Sequence, residues 1–166
     1  MKSLALLLAL FAAACGPGSP GGPNMGNHMG GGKDPIPQSS PVVSADIMAR
    51  EPLANTASVK HILISWKDLE DAFQGHQDPR AQARTKTQAE AEVKTLLGQL
   101  KAGGDFEALM KEHSEDLGSA SSNRAFTVTP DAQLVIEFRQ LSLRLNPGEI
   151  GVCQSDFGFH IIKRYE

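Results

Sequence analysis

Apolar and polar residues recur with two different periods along residues 57–166 and divide this stretch into strands and helices. Short runs with a period of two, rich in β-branched residues, predict buried strands, whereas apolar residues three and four positions apart predict helices. The predicted elements are, in chain order, a strand over 58–66, helices over 81–102 and from 105, a strand over 124–128, a helix over 129–145, and strands over 150–154 and 159–165. This order predicts an α+β fold in which helices pack against one small sheet.

Capping residues mark where the predicted helices begin. Asp78 precedes a proline, Asp105 precedes an apolar turn, and Thr129 precedes another proline. An N-cap oxygen accepts an otherwise unpaired backbone N–H, and proline is tolerated at the first helical position. In the helix expected from Thr129, Leu134 and Phe138 lie four residues apart and are predicted to share its inward face.

A histidine stands at the head of each of two predicted strands. His61 opens His-Ile-Leu-Ile and His160 opens His-Ile-Ile-Lys. With the alternation of strands, His61 shares a face with Leu63, and His160 shares one with Ile162. A single histidine on a strand face is more often a core or surface residue than a catalyst. If these two strands are neighbours, however, both imidazoles can meet across the sheet.

The first fifteen residues have the pattern of a secretory signal, expected to occupy residues 1–14. Lys2 supplies a positive charge, residues 4–14 form an unbroken apolar run, and Cys15 follows three alanines. The run is too short to span a bilayer as a mature helix. Cys15 after small residues resembles the lipobox of bacterial lipoproteins, in which the thiol is lipidated, although Ala12 stands where Leu is usual. The alternative is an ordinary cleaved signal with a free cysteine.

Residues 15–44 are rich in glycine and proline and predict a flexible tether. Residues 45–56 are expected to lead into a folded domain that spans 57–166. Met25, His28 and Met29 could hold a soft metal such as Cu(I), but this set arises easily by chance in a Gly-rich linker. We therefore predict no metal site.

The composition describes a mildly acidic chain. Its 16 Lys and Arg against 19 Asp and Glu give a formal net charge of −3. Without a basic face, the chain has no counterion-release driving force, which argues against nucleic acid and anionic headgroups as partners. If Cys15 is acylated, no internal disulfide is possible, and Cys153, in a short β-like run, is predicted to be a buried core residue.

Five sequence blocks follow one another along the expected domain: VKHILI at 59–64, GDFEAL at 104–109, HSED at 113–116, NPGEI at 146–150 and FGFHIIK at 157–163. In this order and spacing they resemble the parvulin-type peptidyl-prolyl isomerases. The resemblance implies a four-stranded antiparallel sheet surrounded by about four helices, in the order β-ααα-β-α-β-β. It also implies prolyl cis/trans isomerisation without a cofactor.

The same resemblance assigns roles to individual residues. His61 and His160 match the imidazole pair beneath the proline pocket, and Asp116 stands where the family has Cys or Asp. Leu134 and Phe138 match the apolar floor and wall of the pocket. Leu134 and Phe138 would serve equally well as hydrophobic core residues with no role in binding.

The chain departs from the family's pattern at residues 119–126, which read SASSNRAF. The family usually has a Gly-Gly pair here, followed by a Leu-Gly-aromatic element that lines the pocket. Phe126 is expected to retain the aromatic, and Phe157, in place of a small residue, either crowds the entrance or supplies apolar surface. Ser155 stands where a hydroxyl residue usually joins the histidines. A second hypothesis is therefore a membrane-tethered chaperone or peptide-binding module with weak or no isomerase activity.

Charge indicates the substrate class. Family members that require phosphorylated Ser or Thr before proline carry a basic cluster after the first strand. Here residues 67–80 contain four carboxylates against two basic residues: Asp68, Glu70, Asp71 and Asp78 against Lys67 and Arg80. We expect unphosphorylated X-Pro segments of unfolded or extended envelope and secreted polypeptides, with an apolar or basic X. Gly16 after Cys15, by similarity to sorting rules of some bacteria, indicates the outer membrane, facing the periplasm.

Overall fold

The computed structural model describes residues 39–166 and contains four strands with helices on both faces. The elements are α1 (Ala45–Met48), β1 (Ala57–Ile64), a 3-10 helix (Lys67–Phe73), α2 (Pro79–Gln82), α3 (Lys86–Lys101), α4 (Phe106–His113), α5 (Leu117–Ser122), β2 (Phe126–Val128), α6 (Ile136–Arg144), β3 (Ile150–Ser155) and β4 (Gly158–Arg164). The predicted α+β class is confirmed.

The strands form one antiparallel sheet in the order β2-β1-β4-β3. Helices α3 and α4 cover one face, where Ile62 and Ile161 join Val93 and Phe106 in a buried cluster. Helices α1 and α6 cover the other face. There the buried residues are Val59, Ile162 and Cys153 from the strands, and Ile47, Phe138, Leu141 and Leu145 beside them. Cys153 is fully buried, as predicted, and burial raises the pKa of its thiol well above the usual value.

The single helix expected over 81–102 is divided in two. Asp78 caps α2 by accepting the Arg80 N–H at 2.8 Å, as predicted. The chain then breaks, and Thr85 begins α3 with a reciprocal cap: Thr85 Oγ1 accepts the Gln88 N–H at 3.3 Å, and Gln88 Oε1 accepts the Thr85 N–H at 2.8 Å. This local cap satisfies two backbone donors that a continuous helix would have paired differently.

The helix expected over 129–145 begins later than predicted. Residues 129–135 form turns, and α6 starts at Ile136. Thr129 Oγ1 donates to Asp131 Oδ1 at 2.7 Å, and the Ala132 N–H bonds back to Thr129 O at 3.1 Å. Such local bonds compete with helix formation. Leu134 therefore precedes the helix, and the prediction that Leu134 and Phe138 share one helix face is wrong.

Residues 40–48, expected to be the end of a tether and part of a lead-in, belong to the folded unit. Ser40 and Val42 are buried, and Ser44 bonds to the edge of β3 through its N–H to Val152 O at 2.9 Å and its Oγ to the Val152 N–H at 3.0 Å. Ile47 packs beneath α6. The segment thus covers a strand edge that would otherwise expose unpaired backbone groups.

The expected signal, Cys15 and the Met25, His28 and Met29 set lie outside the described residues. Within residues 39–166, no helix has the length and apolar character needed to cross a membrane.

Candidate active site

His61 and His160 project from the two central strands onto the face covered by α6. The register pairs His61 with Ile162 and Leu63 with His160, so the two histidines are diagonal neighbours. Both are completely buried, and their Nδ1 atoms lie 3.3 Å apart. The imidazoles therefore meet across the sheet, as expected if the two strands are neighbours. The prediction that each histidine stands at the head of its strand is wrong, because His61 lies in the middle of β1 and two residues precede His160 in β4, and the heads of antiparallel strands lie at opposite ends of the sheet.

Four side chains form a buried hydrogen-bonded series. Asp116 Oδ2 lies 2.9 Å from His61 Nε2, and His160 Nε2 lies 2.7 Å from Ser155 Oγ. Ser155 Oγ accepts the Phe157 N–H at 3.1 Å and can donate its own proton to His160 Nε2. In the matching tautomers, His160 Nδ1–H donates a hydrogen bond to His61 Nδ1, and His61 Nε2–H donates a hydrogen bond to Asp116 Oδ2. This assignment gives each of the four side chains a hydrogen-bond partner, with both imidazoles neutral and Asp116 as a carboxylate.

Burial and hydrogen bonding set the charges of this series. Burial alone raises the pKa of Asp116, but the hydrogen bonds from His61 and Ser119 outweigh it, so the pKa lies below the usual value. Burial, with the neighbouring His61, lowers the pKa of His160 well below its usual value, more than Asp116 raises it. At neutral pH the site therefore holds Asp116 as a carboxylate and His160 as a neutral imidazole.

Asp116 owes its position to a helix that sequence reasoning missed. It is the N-cap of α5, and its Oδ1 accepts the Ser119 N–H at 3.3 Å. Ser119 Oγ also lies 3.4 Å from His61 Nε2, which adds a hydroxyl to the site. The six residues of α5, Leu117–Ser122, are rich in serine and show no helical repeat of apolar residues, so the N-cap residue Asp116 was the one feature of the sequence that indicated this helix. Asp116 is buried rather than a solvated turn residue, with 7% of its side chain exposed.

Two aromatic rings stand over the histidine pair. Phe126 and Phe138 contact His61 edge to face, with ring centroids 5.3 and 5.2 Å away, and each other at 5.6 Å. Phe138 is also 5.6 Å from His160. Phe138 is fully buried, whereas Phe126 is half-buried and so reaches the surface. Leu134, also half-buried, packs against the same cluster from the turn before α6. The structure thus brings two of the four apolar candidates, Phe126 and Phe138, to the histidines and packs Leu134 against the same cluster.

Phe157 lies in a different cluster. Its ring packs edge to face on Phe73, with centroids 5.5 Å apart, and both join Leu63. Phe73 ends the 3-10 helix and was not among the sequence candidates. Phe157 therefore joins the site through its backbone N–H to Ser155 and through Leu63, the register partner of His160. It is buried, at 2% exposure, and belongs to a different apolar cluster from Phe126 and Phe138.

The segment after β1 is acidic, as its sequence indicates. Asp68, Glu70 and Asp71 are exposed on the 3-10 helix. Arg80, one of the two basic residues of residues 67–80, is paired with Asp78 at 2.9 Å. In residues 39–166, no group of three or more His, Cys, Asp or Glu side chains is arranged to hold a metal ion.

Comparison with known proteins identifies the family to which this fold and site belong. A family model of the PPIC-type peptidyl-prolyl isomerase domain matches residues 46–166. The chain belongs to this family of isomerase domains, and the predicted kinship with the parvulin type is confirmed.

Its relatives include the foldase protein PrsA of Geobacillus kaustophilus, 27% identical over 77% of this chain and 46% of the relative. The periplasmic chaperone PpiD of Escherichia coli K12 is 36% identical over 47% of this chain and 12% of the relative. The chain thus spans less than half the length of these curated relatives. The structure of the peptidyl-prolyl isomerase ESS1 from Candida albicans superposes with a TM-score of 0.54 at 18% identity, covering 68% of this chain and 63% of that one. This likeness supports the four-stranded fold.

Proposed function

We propose that this chain catalyses prolyl cis/trans isomerisation in unfolded or extended polypeptides. The observation that carries the proposal is the buried series Asp116–His61–His160–Ser155 beneath a half-exposed aromatic wall, in a domain of the isomerase family. A buried carboxylate, a fixed pair of imidazoles and an apolar surface are the groups on which the proposed mechanism relies.

The reaction must weaken amide resonance, which sets a rotational barrier of about 18–20 kcal/mol. Each 1.36 kcal/mol removed from that barrier gives about a tenfold faster rate. Phe126 and Leu134, both half-buried, offer an apolar surface for the proline ring, and the fully buried Phe138 supports that surface from beneath. Such a surface disfavours the charge-separated resonance form of the amide and so favours the twisted state.

The buried series acts through electrostatics. His61 and His160 fix one another's tautomer and keep the Asp116 carboxylate in place, since His61 donates to Asp116 Oδ2. With no exposed surface, neither imidazole can touch a substrate directly. Asp116 is the charged member of the series and keeps 7% of its side chain exposed, and it acts on the twisting amide without a covalent bond.

The proposed substrates are unphosphorylated X-Pro segments with an apolar or basic X. Exposed Asp68, Glu70 and Asp71 follow β1, the strand that carries His61. Arg80 is bonded to Asp78, so it presents no free charge to a phosphate. Negative groups before the proline are therefore repelled.

The proposed setting is the bacterial cell envelope, with the chain anchored to the outer membrane through lipidated Cys15 and facing the periplasm. The lipobox-like sequence supports it, and so does the name of the relative PpiD, a periplasmic chaperone. Labelled fatty acid supplied to expressing cells is expected to enter the natural chain but not a Cys15→Ser variant. Equal labelling of both would refute the anchor.

A second candidate is a peptide-holding module without appreciable catalysis. It is favoured by the burial of both imidazoles and by the replacement of the family's Gly-Gly segment with α5. The relative named a foldase and the one named a chaperone are compatible with it.

Exchange NMR separates the two candidates. The full chain is added to peptides Ala-X-Pro-Phe, and the cis/trans exchange rate is compared with that for Asp116→Asn, with Asp46→Asn on the exposed face of α1 as control. Faster exchange that is lost in Asp116→Asn and retained in the control supports the isomerase. Shifts of peptide resonances without faster exchange support holding and refute the isomerase.

A further inference from the structure

Residues 114–116, here the α4–α5 linker, run along the part of the β1 edge that β2 leaves open. β2 pairs with β1 only at residues 57–59. Further along, Ser114 Oγ accepts the Leu63 N–H at 3.1 Å, Leu63 O accepts the Glu115 N–H at 2.9 Å, and Glu115 Oε2 accepts the Ser65 N–H at 2.6 Å. The linker therefore occupies the place of a strand.

Two side chains replace the carbonyls that a true strand would offer. Ser114 Oγ and Glu115 Oε2 each accept a backbone N–H of β1 or its end, and both residues are buried. A neighbouring strand would satisfy these donors with its own backbone. The position of the linker relative to β1 consequently depends on side-chain chemistry at these two residues.

Glu115 is itself held by Arg84, which lies between α2 and α3. Arg84 Nη1 donates to Glu115 Oε1 at 2.6 Å and to Ser65 O at 2.9 Å, and its Nη2 lies 2.8 Å from Glu92. The Glu115 side chain is fully buried, and burial raises the pKa of its carboxyl despite these bonds. A buried carboxylate is retained in such a place only with a partner of opposite charge.

Arg80 fixes the other side of the linker. Its guanidinium donates to three carbonyls at the end of α4, those of Glu112, His113 and Ser114, at 3.1, 3.3 and 3.1 Å. Arg84 thus holds the linker through Glu115, and Arg80 holds it through Ser114 and the end of α4.

The linker connects these contacts to the site. Ser114 Oγ also accepts the Asp116 N–H at 3.3 Å, while Asp116 Oδ2 reaches His61, two residues before Leu63 on β1. We propose that Ser114, Glu115 and Arg84 are positioning residues that set the distance between the Asp116 carboxylate and His61. This inference rests on the proposed isomerase activity for its kinetic consequence, while its geometric consequence can be measured without activity.

The first test is Glu115→Gln in the full chain, with Glu149→Gln as matched control. Glu149 forms an ion pair with Arg50 at 2.9 Å, but it precedes β3 on the opposite edge of the sheet. We expect kcat in Glu115→Gln to fall on the order of tenfold with KM nearly unchanged, because the apolar surface is untouched and the carboxylate is misplaced. The control is expected to keep both constants.

The second readout is the Asp116 carboxyl titration, followed by carbon-13 NMR. Removing the neighbouring Glu115 charge would by itself lower the pKa of Asp116, whereas loss of the His61 hydrogen bond raises it. We expect it to rise. The direction of the change in the Asp116 pKa therefore distinguishes displacement of the Asp116 carboxylate from the direct effect of removing the Glu115 charge.

A second pair of variants decides the matter if Glu115→Gln does not fold. Arg84→Gln is expected to show the same loss of kcat and the same rise in the Asp116 pKa, and Arg84→Lys, which keeps the charge, is expected to recover part of both. Unchanged kcat and an unchanged or lowered Asp116 pKa in a folded variant would overturn the inference. If the natural chain itself does not accelerate exchange, the proposed function fails, and the titration alone decides the positioning role.

Discussion

The Nδ1 atoms of His61 and His160 lie 3.3 Å apart, although neither residue is the register partner of the other. A contact between two ring nitrogens requires one proton between them, so one nitrogen donates and the other accepts. Protonating both Nδ1 atoms would set two N–H groups against each other and break this hydrogen bond, and two fully protonated rings would place two buried cations in contact. The pair is therefore built to remain neutral at one ring at least, in agreement with the strongly lowered pKa of His160.

This burial predicts a pH dependence of stability. The pKa of His160 is lowered in the fold, while an unfolded chain takes up the proton near pH 6.5. The unfolded state thus binds more protons below that pH. The stabilising contribution is present above about pH 6.5 and is lost as the pH falls toward the folded pKa, by at most about 1.4 kcal/mol per pH unit.

Urea unfolding between pH 7 and 5 measures this slope. A His160→Asn variant is expected to be less stable at pH 7 but to have a flatter slope, and a variant of the exposed His76, His76→Asn, is expected to keep the natural slope. Burial raises the pKa of Glu115, so this residue makes stability fall as the pH rises, which is opposite to the effect of His160. Because the Glu115 contribution is the same in the natural chain and in His160→Asn, it cancels when their slopes are compared. Equal slopes for the natural chain and His160→Asn would contradict the prediction.

The two phenylalanines over the histidines are expected to respond differently to truncation. Phe138 is fully buried, so Phe138→Ala should lower the free energy of unfolding by about 3–5 kcal/mol. Phe126 is half-buried at the surface, so Phe126→Ala should cost less stability and chiefly raise KM. Denaturation and exchange NMR on both variants test this. A stability loss in Phe126→Ala equal to that in Phe138→Ala would show that Phe126 is only a core residue.

Sequence patterns predicted what depends on local periodicity. The apolar, β-branched runs around His61 and His160 predicted strands, the geometric two-residue repeat of a strand assigned each histidine to a face, and Asp105 caps its helix as expected. Sequence patterns gave a wrong helix start where short-range polar hydrogen bonds override the apolar repeat, as between Thr129 and Asp131 before α6. The contacts of Ser114 with Leu63, which span about half the domain in sequence, had no local signal at all.

The turn that separates Ser155 from His160 depends on Gly158. Its φ is +130°, and a Cβ there would lie 2.5 Å from Ile64 O and 2.9 Å from Ser65 Cα. Gly158→Ala is therefore expected to destabilise the chain by at least about 2 kcal/mol. Gly98→Ala is the control, because Gly98 lies in α3 with open space around it. Helix propensity predicts that this control gains up to about 1 kcal/mol. Thermal unfolding of both variants is the measurement, and similar melting temperatures would refute the argument.

The acidic 3-10 helix is expected to set the response to phosphorylated substrates. Since Glu70 and Asp71 are exposed and follow the strand of His61, a phosphate before proline should be repelled. The natural chain should isomerise a Ser-Pro peptide several-fold faster than its phosphoserine form, and the difference should shrink with added salt. A Glu70→Lys, Asp71→Lys double variant should narrow the ratio of the two rates. The same change of charge made on the α1 side, with Asp46→Lys and Glu51→Lys, should leave it nearly unaltered. Equal narrowing by both double variants would mean that net charge alone, and no local field beside the site, governs the choice of substrate.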